Sequence, residues 1–202
     1  MEAELGQDVW VYSIFQRPGY FLDVGSGDGV FASNTIGLEK NGWKGICIDA
    51  FPRNYEGRKA IVETACVSHC AGLEISFLKS HFQEGLSGII DNISDYNKMF
   101  ITTRPHEFIK MNTLLLSDIL DKHDAPKYIE YLNMDIEGGE YDVLRTFPFD
   151  KYSFGAITIE HNFHEPARTL IREILDKNGY KFVKAVKYDD WYISNSLEGQ
   201  HV

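Results

Sequence analysis

Short runs of β-branched and aromatic residues alternate with amphipathic stretches along this chain. That alternation predicts an α/β fold in which helices connect strands of one sheet. Gln7 to Phe15 reads as an opening helix, closed by Pro18-Gly19. Tyr20 to Val24 is an apolar run ending in glycines, the first strand, and Val30 to Asn41 follows as a helix stopped by Gly42. Lys44 to Asp49 reads as the second strand. Pro52 to Arg58 suits a short helix, with proline in its first turn, and Ala60 to Val67 is the third strand.

The alternation then breaks. Leu73 to Leu78 has the period of an extra strand, but Lys79 to Thr103 is rich in Gly, Ser, Asn and Asp with scattered aromatics. It reads as a long excursion, and such excursions in compact domains are functional or disordered. Phe82, Tyr96 and Phe100 would let it close over an acceptor as a lid. Glu107 to Met111 and Thr113 to His123 read as a short strand and a helix. Regular order resumes with a strand at Tyr128 to Met134, a helix at Tyr141 to Phe147 and a strand at Ala156 to Glu160. A helix from Pro166 to Asn178 and a strand pair at Tyr180 to Val186 and Trp191 to Ser194 end the pattern. With 202 residues and no repeat or linker, a single domain over 1–202, with an insertion at about 79–110, is expected.

The turn after the first strand carries the most chemistry. Phe21-Leu22-Asp23-Val24-Gly25-Ser26-Gly27-Asp28-Gly29 puts three glycines at alternate positions between a strand and a helix. Glycine permits backbone angles and close approaches that a Cβ blocks, so a ligand can lie against the turn at the carboxyl ends of the strands. Dinucleotide sites want G-x-G-x-x-G and seat a pyrophosphate on the helix start. Here the spacing is G-x-G-x-G, and Asp23 and Asp28 would repel a pyrophosphate. They suit a cationic, phosphate-free nucleoside such as S-adenosylmethionine. Asp49, at the end of the second strand, can accept both hydroxyls of a ribose from either cofactor.

Two more acidic groups end later strands. Asn133-Met134-Asp135-Ile136-Glu137-Gly138-Gly139-Glu140 follows the fourth main strand, and Glu160-His161-Asn162 the fifth. Asp135 would stand at the mouth beside a donor. Glu137 and Glu140 also suit a helical first turn, where acids meet the helix dipole. His161 reads either as a general base or as a hydrogen-bonded structural histidine, while His164, in a loop, reads as solvated.

Composition narrows the partners. The net charge of -10 argues against nucleic acid, because phosphate affinity comes from Lys and Arg. The hydrophobic share of 44% is ample for one core. Cys47, Cys66 and Cys70 have neither disulfide nor zinc spacing and read as apolar residues near a buried strand. The acidic segment from Met1 to Asp8 lacks the features of a secretory signal, and no apolar run approaches a membrane span. A soluble cytoplasmic protein is the expectation.

The glycine turn, Ile48-Asp49-Ala50 with Pro52, and Asn133 to Glu140 together resemble the FkbM-like methyltransferases, a class I family dependent on S-adenosylmethionine. Gln7-Asp8 and Ala156 to His161 add to the likeness, which runs from Gln7 to about Asn195. The resemblance implies a Rossmann-like fold: a mainly parallel seven-stranded sheet with a reversed last strand and helices on both faces. It implies donor contacts at Asp23, Gly25, Gly27 and Asp49; Ser26, Ala50, Cys66 and Asp135 complete the expected donor set. It also implies methyl transfer to oxygen on a sugar, glycan or natural-product hydroxyl.

An alcohol must lose its proton as it attacks, so a base is required. His161 is the first candidate, Asp135 the second. In a metal version, Asp135 and Glu160 hold Mg²⁺ with His161 or water. Two rival readings stay open: an NAD-dependent sugar oxidoreductase or epimerase, and a non-catalytic module that binds S-adenosylmethionine.

Overall fold

The computed structural model describes residues 3–197; residues 1–2 and 198–202, which the single-domain reading included, lie outside the described residues. In chain order the elements are α1 (Gln7–Phe15), β1 (Tyr20–Val24), α2 (Ile36–Lys40), β2 (Lys44–Asp49), β3 (Ile61–Thr64), β4 (Cys66–Val67) and β5 (Glu74–Ser80). Then come β6 (Gly88–Ile89), α3 (Asp95–Thr102), β7 (His106–Leu114), α4 (Leu116–Lys122) and β8 (Tyr128–Met134). The chain closes with α5 (Glu140–Leu144), β9 (Ser153–Glu160), α6 (Ala167–Lys177), β10 (Tyr180–Val186) and β11 (Asp189–Ser194).

The main sheet has seven strands in the order β10-β11-β9-β8-β1-β2-β3. Pairing is parallel from β3 through β9. It is antiparallel on both sides of β11, against β9 and against β10. The expected mainly parallel sheet is therefore a mixed one: β11 lies inside the sheet, not at its edge, and a two-residue connection from β10 can only bring the chain back antiparallel.

Alternating residues send side chains to opposite faces. Leu22 and Val24 of β1, Ile46 and Ile48 of β2, and Leu132 and Met134 of β8 pack under α4, α5 and α6. Phe21, Cys47 and Tyr131 point the other way, into a core with Trp10 and Val11 of α1 and Leu38 of α2. Helices thus cover both faces. Among the described residues no helix is long and apolar enough to cross a membrane.

Four stretches differ from the sequence expectation. Val30 to Asn34 is irregular because the Asp28 carboxylate accepts the Val30 and Phe31 N–H groups, each at 2.9 Å, and the Ser33 hydroxyl accepts the Ile36 N–H at 3.2 Å. Helix α2 starts only at Ile36. Pro52 to Arg58 is not helical: Arg53 bridges to Asp28 in parallel pairing. The third strand divides, β3 staying in the main sheet while β4 pairs with β7. The excursion is not a loop. β4, β7, β5 and β6 form a second, four-stranded sheet, and α3 starts on Ser94, whose hydroxyl accepts the Asn97 N–H at 3.1 Å.

Arg58 turns inward from that irregular segment. Its guanidinium pairs with Glu39 at 3.0 Å, with side-chain exposures of 3% and 8%. It also donates to Thr35 Oγ1 at 3.1 Å, beside the buried Asp23. Glu39 additionally accepts the Lys59 and Ala60 N–H groups. Removing one partner of a buried ion pair strands the other charge, at a cost of about 3–5 kcal/mol. Glu39→Ala is therefore expected to lower the unfolding free energy by about that amount in urea titration, and Glu39→Gln, which can still accept backbone donors, by less. Equal stability of Glu39→Ala and wild type would show that the pair contributes nothing.

Candidate functional site

The ends of β1, β2 and β8 meet under the glycine turn. The Gly25 and Ser26 N–H groups donate to Ile48 O at 2.8 and 3.1 Å, and the Asp135 N–H donates to Val24 O at 2.9 Å. A Cβ on Gly25, whose φ is +80°, would lie 1.6 Å from the Asp135 carbonyl oxygen. Gly25 is thus required by the protein's own backbone. At Gly27, with φ +49°, a Cβ would meet nothing within 4 Å, so this glycine faces open space.

That space is a cavity of about 430 Å³ at the carboxyl ends of the parallel strands, where open α/β sheets bind ligands. Gly25, Gly27, Asp49, Ala50, Cys66 and Asp135 all line it, as does Glu160. Asp49 accepts the Gly27 N–H at 2.8 Å on one oxygen and the Phe51 N–H at 2.7 Å on the other. Each oxygen keeps a second lone pair for a ligand. Burial raises the Asp49 pKa, and those two N–H donors oppose the rise. Burial also pushes the Cys66 thiol up to about 11, so it is a neutral wall.

Not every residue expected around the donor reaches the cavity. Asp23 is 1% exposed and lies beneath the turn, accepting from Thr35 Oγ1 at 2.6 Å and Asn133 Nδ2 at 3.0 Å. Ser26 is turned to Tyr55, whose hydroxyl donates to it at 2.6 Å. His161 does not line the cavity either. Its Nδ1 accepts the Phe163 N–H at 3.0 Å, and its Nε2 lies 3.5 Å from Asp190, itself held by Arg168 and Arg172. Burial lowers its pKa. The geometry is that of a hydrogen-bonded structural histidine, facing away from any ligand in the cavity, because the strand ends at Glu160 and the next side chain takes the opposite direction.

The carboxylates do converge. Ligand oxygens of Asp135, Glu137 and Glu160 lie within 4.8 Å of one another, and His161 is not among them. Glu140, by contrast, is occupied as a turn acceptor for the Ile136 and Gly138 N–H groups. Glu160 donates a hydrogen bond to Asp135 and accepts one from Asn162 at 2.7 Å.

The sequence reading missed the far wall. Phe51, Arg53, Phe77, Lys79, Glu84 and Ile89 also line the cavity, most of them from the second sheet and its turns. Arg53 and Glu84 pair across it at 2.5 Å, and Lys79 sits 4.2 Å over the Phe51 ring. Asp189, at the start of β11, lines it too and accepts from Gln7 Nε2 at 3.0 Å. Asp189 reaches the site because β11 runs antiparallel and begins opposite Glu160; nothing in the linear pattern marks it or the others.

A family model described as the methyltransferase FkbM domain matches residues 23–182. No curated protein and no solved structure matches the chain.

The crowded carboxyls make a testable link to stability. Burial, then neighbouring carboxyls, push Asp135 up to about 7 and Glu137 up to about 9. Glu160 is raised as well, by burial and then by Asp135. The folded state therefore holds these protons more tightly than the unfolded chain. The resulting stability is full at low pH and is lost as pH rises, between 3.8 and about 7 for Asp135 and between 4.5 and about 9 for Glu137. The thermal midpoint is expected to fall from pH 5 to pH 9, and to fall less in Glu137→Gln. Parallel curves for the two proteins would remove Glu137 from the linkage.

Proposed function

The chain belongs to the FkbM methyltransferase domain family, and on that premise we propose that it methylates an oxygen of a hydroxyl-bearing acceptor, a sugar, glycan or small natural product, with S-adenosylmethionine as donor. The observation that carries this reading is one cavity holding the glycine turn, Asp49 and the hydrogen-bonded pair Asp135–Glu160. The sheet order around β1, with this cavity at the strand ends, supports a class I, Rossmann-like arrangement.

The donor fits the walls. The cavity has the size of a small-molecule site. Asp49 would take the ribose hydroxyls on its remaining lone pairs. Ala50, Cys66, Phe77 and Ile89 offer apolar surface for a planar base. Its one arginine, Arg53, is neutralised by Glu84, so a pyrophosphate would have Lys79 alone against Asp28, Asp49, Asp135, Glu160 and Asp189. This disfavours the dinucleotide-dependent alternative. When bound, the donor supplies an electrophilic methyl on a sulfonium.

The chain's own work is to position and to take a proton. Holding donor and acceptor in line removes much of the entropic barrier. Asp135, with a pKa near the operating pH, is suited to accept the hydroxyl proton. Glu160 would fix the orientation of Asp135 through their hydrogen bond. Protons relieve the repulsion among the three carboxyls, so this reading needs no Mg²⁺.

Asp49→Ala is expected to weaken donor binding by about 1.5–3 kcal/mol, the worth of a charge-assisted hydrogen bond, read by calorimetry; unchanged affinity would remove Asp49 from the donor site. The wild-type rate should rise with pH through about 7 as Asp135 loses its proton. Asp135→Asn should abolish that rise and slow transfer by about 10²–10⁴-fold, and a chelator should leave the wild type unaffected. Loss of turnover on chelation, restored by Mg²⁺, would replace the carboxyl base with a metal site.

A further inference from the structure

The second sheet carries an arginine that the donor cavity does not use. Arg104 follows α3, and its guanidinium lies 3.7 Å over the Phe100 ring and 5.6 Å from the Phe82 ring. Its Nη1 donates to Phe100 O at 2.7 Å and to Thr103 Oγ1 at 3.1 Å. These contacts fix the plane of the group. No carboxylate of the described residues pairs with it; the nearby Glu107 is engaged with His81 at 3.6 Å. In a chain of net charge -10, an arginine fixed in place yet left without an acid is unusual.

Its neighbours point outward. Phe82 is 66% exposed and Tyr96 70% exposed, and the Tyr96 ring stacks on Phe100 with centroids 6.5 Å apart. The row Tyr96, Phe100, Arg104, Phe82 does not line the cavity but is joined to the site through chain neighbours at both ends. Phe82 directly precedes Gln83, which lines the cavity. Tyr96 directly precedes Asn97, whose amide lies 3.5 Å from Glu137 of the carboxyl cluster. An aromatic-clamped guanidinium with a free edge is a preorganised fork for a planar or tetrahedral oxyanion.

We propose that Arg104 anchors the acceptor by an anionic group, so that the acceptor of this enzyme carries a carboxylate or phosphate besides the hydroxyl that is methylated, with its body lying along Phe82 and Tyr96. This rests on the methyltransferase reading for the identity of the acceptor, but the anion site is tested without turnover. The two anions share one chemistry here, oxygens paired with the Nε and Nη2 edge. Tyr96 and Phe82, still largely wet, match a body with C–H faces and polar edges better than a wholly apolar one. Arg104 is a positioning residue: it touches neither the methyl nor the base.

The test is a titration of the full chain with sodium acetate and with inorganic phosphate, following the arginine Nε–H signals by nitrogen-resolved NMR at constant ionic strength. The Arg104 signal should shift to saturation with at least one anion, the stronger of the two naming the source. Arg17, exposed and paired with Glu130, is the internal reference and should drift only linearly. Arg104→Lys keeps the charge but not the fork and should bind the anion about tenfold or more weakly, the loss of one charge-assisted hydrogen bond. Its binding is followed through the Phe82 and Phe100 ring signals, and its thermal midpoint reports on folding. A linear Arg104 response no larger than that of Arg17 would overturn the proposal, as would Arg104→Lys binding as tightly as wild type. Donor affinity, measured by calorimetry on the same sample, separates the two failures. A protein that binds S-adenosylmethionine but shows no Arg104 saturation loses only the anchor. One that binds no donor loses the methyltransferase reading.

Discussion

A Cβ at residue 25 would lie 1.6 Å from the Asp135 carbonyl oxygen, and the site depends on the absence of that atom. The close approach lets β1 end between β2 and β8 with every backbone donor engaged: Gly25 and Ser26 to Ile48, and Asp135 to Val24. With the three strand ends drawn together, Asp49 and Asp135 face one cavity from opposite sides of the turn. A larger residue would push β8 away and carry Asp135 with it. The glycine at 25 therefore acts first on the protein's own geometry and only through it on a ligand.

That geometry concentrates acid where water is scarce. Asp135, Glu137 and Glu160 cannot all be ionised within 4.8 Å of one another, because like charges in a desolvated site raise each other's pKa. Protons are the inexpensive remedy. The outcome is a carboxyl at Asp135 balanced near neutral pH, the condition under which a group exchanges protons readily with an alcohol. Asn162 and Asn97 stabilise the cluster from its rim without adding charge. The same crowding that costs stability at high pH holds protons on the carboxyls of the cavity.

The second sheet completes the enclosure. Its strands pair β5 with β7 over seven residue pairs, which is ample to hold a wall in place. From it Phe77, Lys79, Glu84 and Ile89 face the cavity, while Phe82, Tyr96 and Arg104 look outward beside it. One inserted element thus shapes a wall of the cavity and carries a separate, cationic and aromatic surface that does not line it.

The sequence by itself determined the elements that bury a regular face. β1, β2, β8 and β9 were legible because their apolar runs are flanked by turn residues, and α1 and α6 because their apolar positions recur at helical spacing. Gly25, Gly27, Asp49 and Asp135 were legible because strand-end position alone implies where they point. Tertiary structure decided the rest. Val30 to Asn34 lost its helix to the Asp28 carboxylate, a local hydrogen-bond choice that periodicity does not encode. The strands flanking the excursion, at Leu73 to Leu78 and Glu107 to Met111, were legible, but inside it β6 was not, because two residues carry no period and form a strand only through pairing with β5, Phe77 with Ile89. His161 and Glu160 are neighbours in sequence, the first read as the leading base candidate and the second as a ligand in the metal version, yet only Glu160 lines the cavity, because consecutive residues at a strand end take opposite sides. Which carboxyls keep their protons depended on burial and on distances between distant segments, quantities that exist only once the chain has folded.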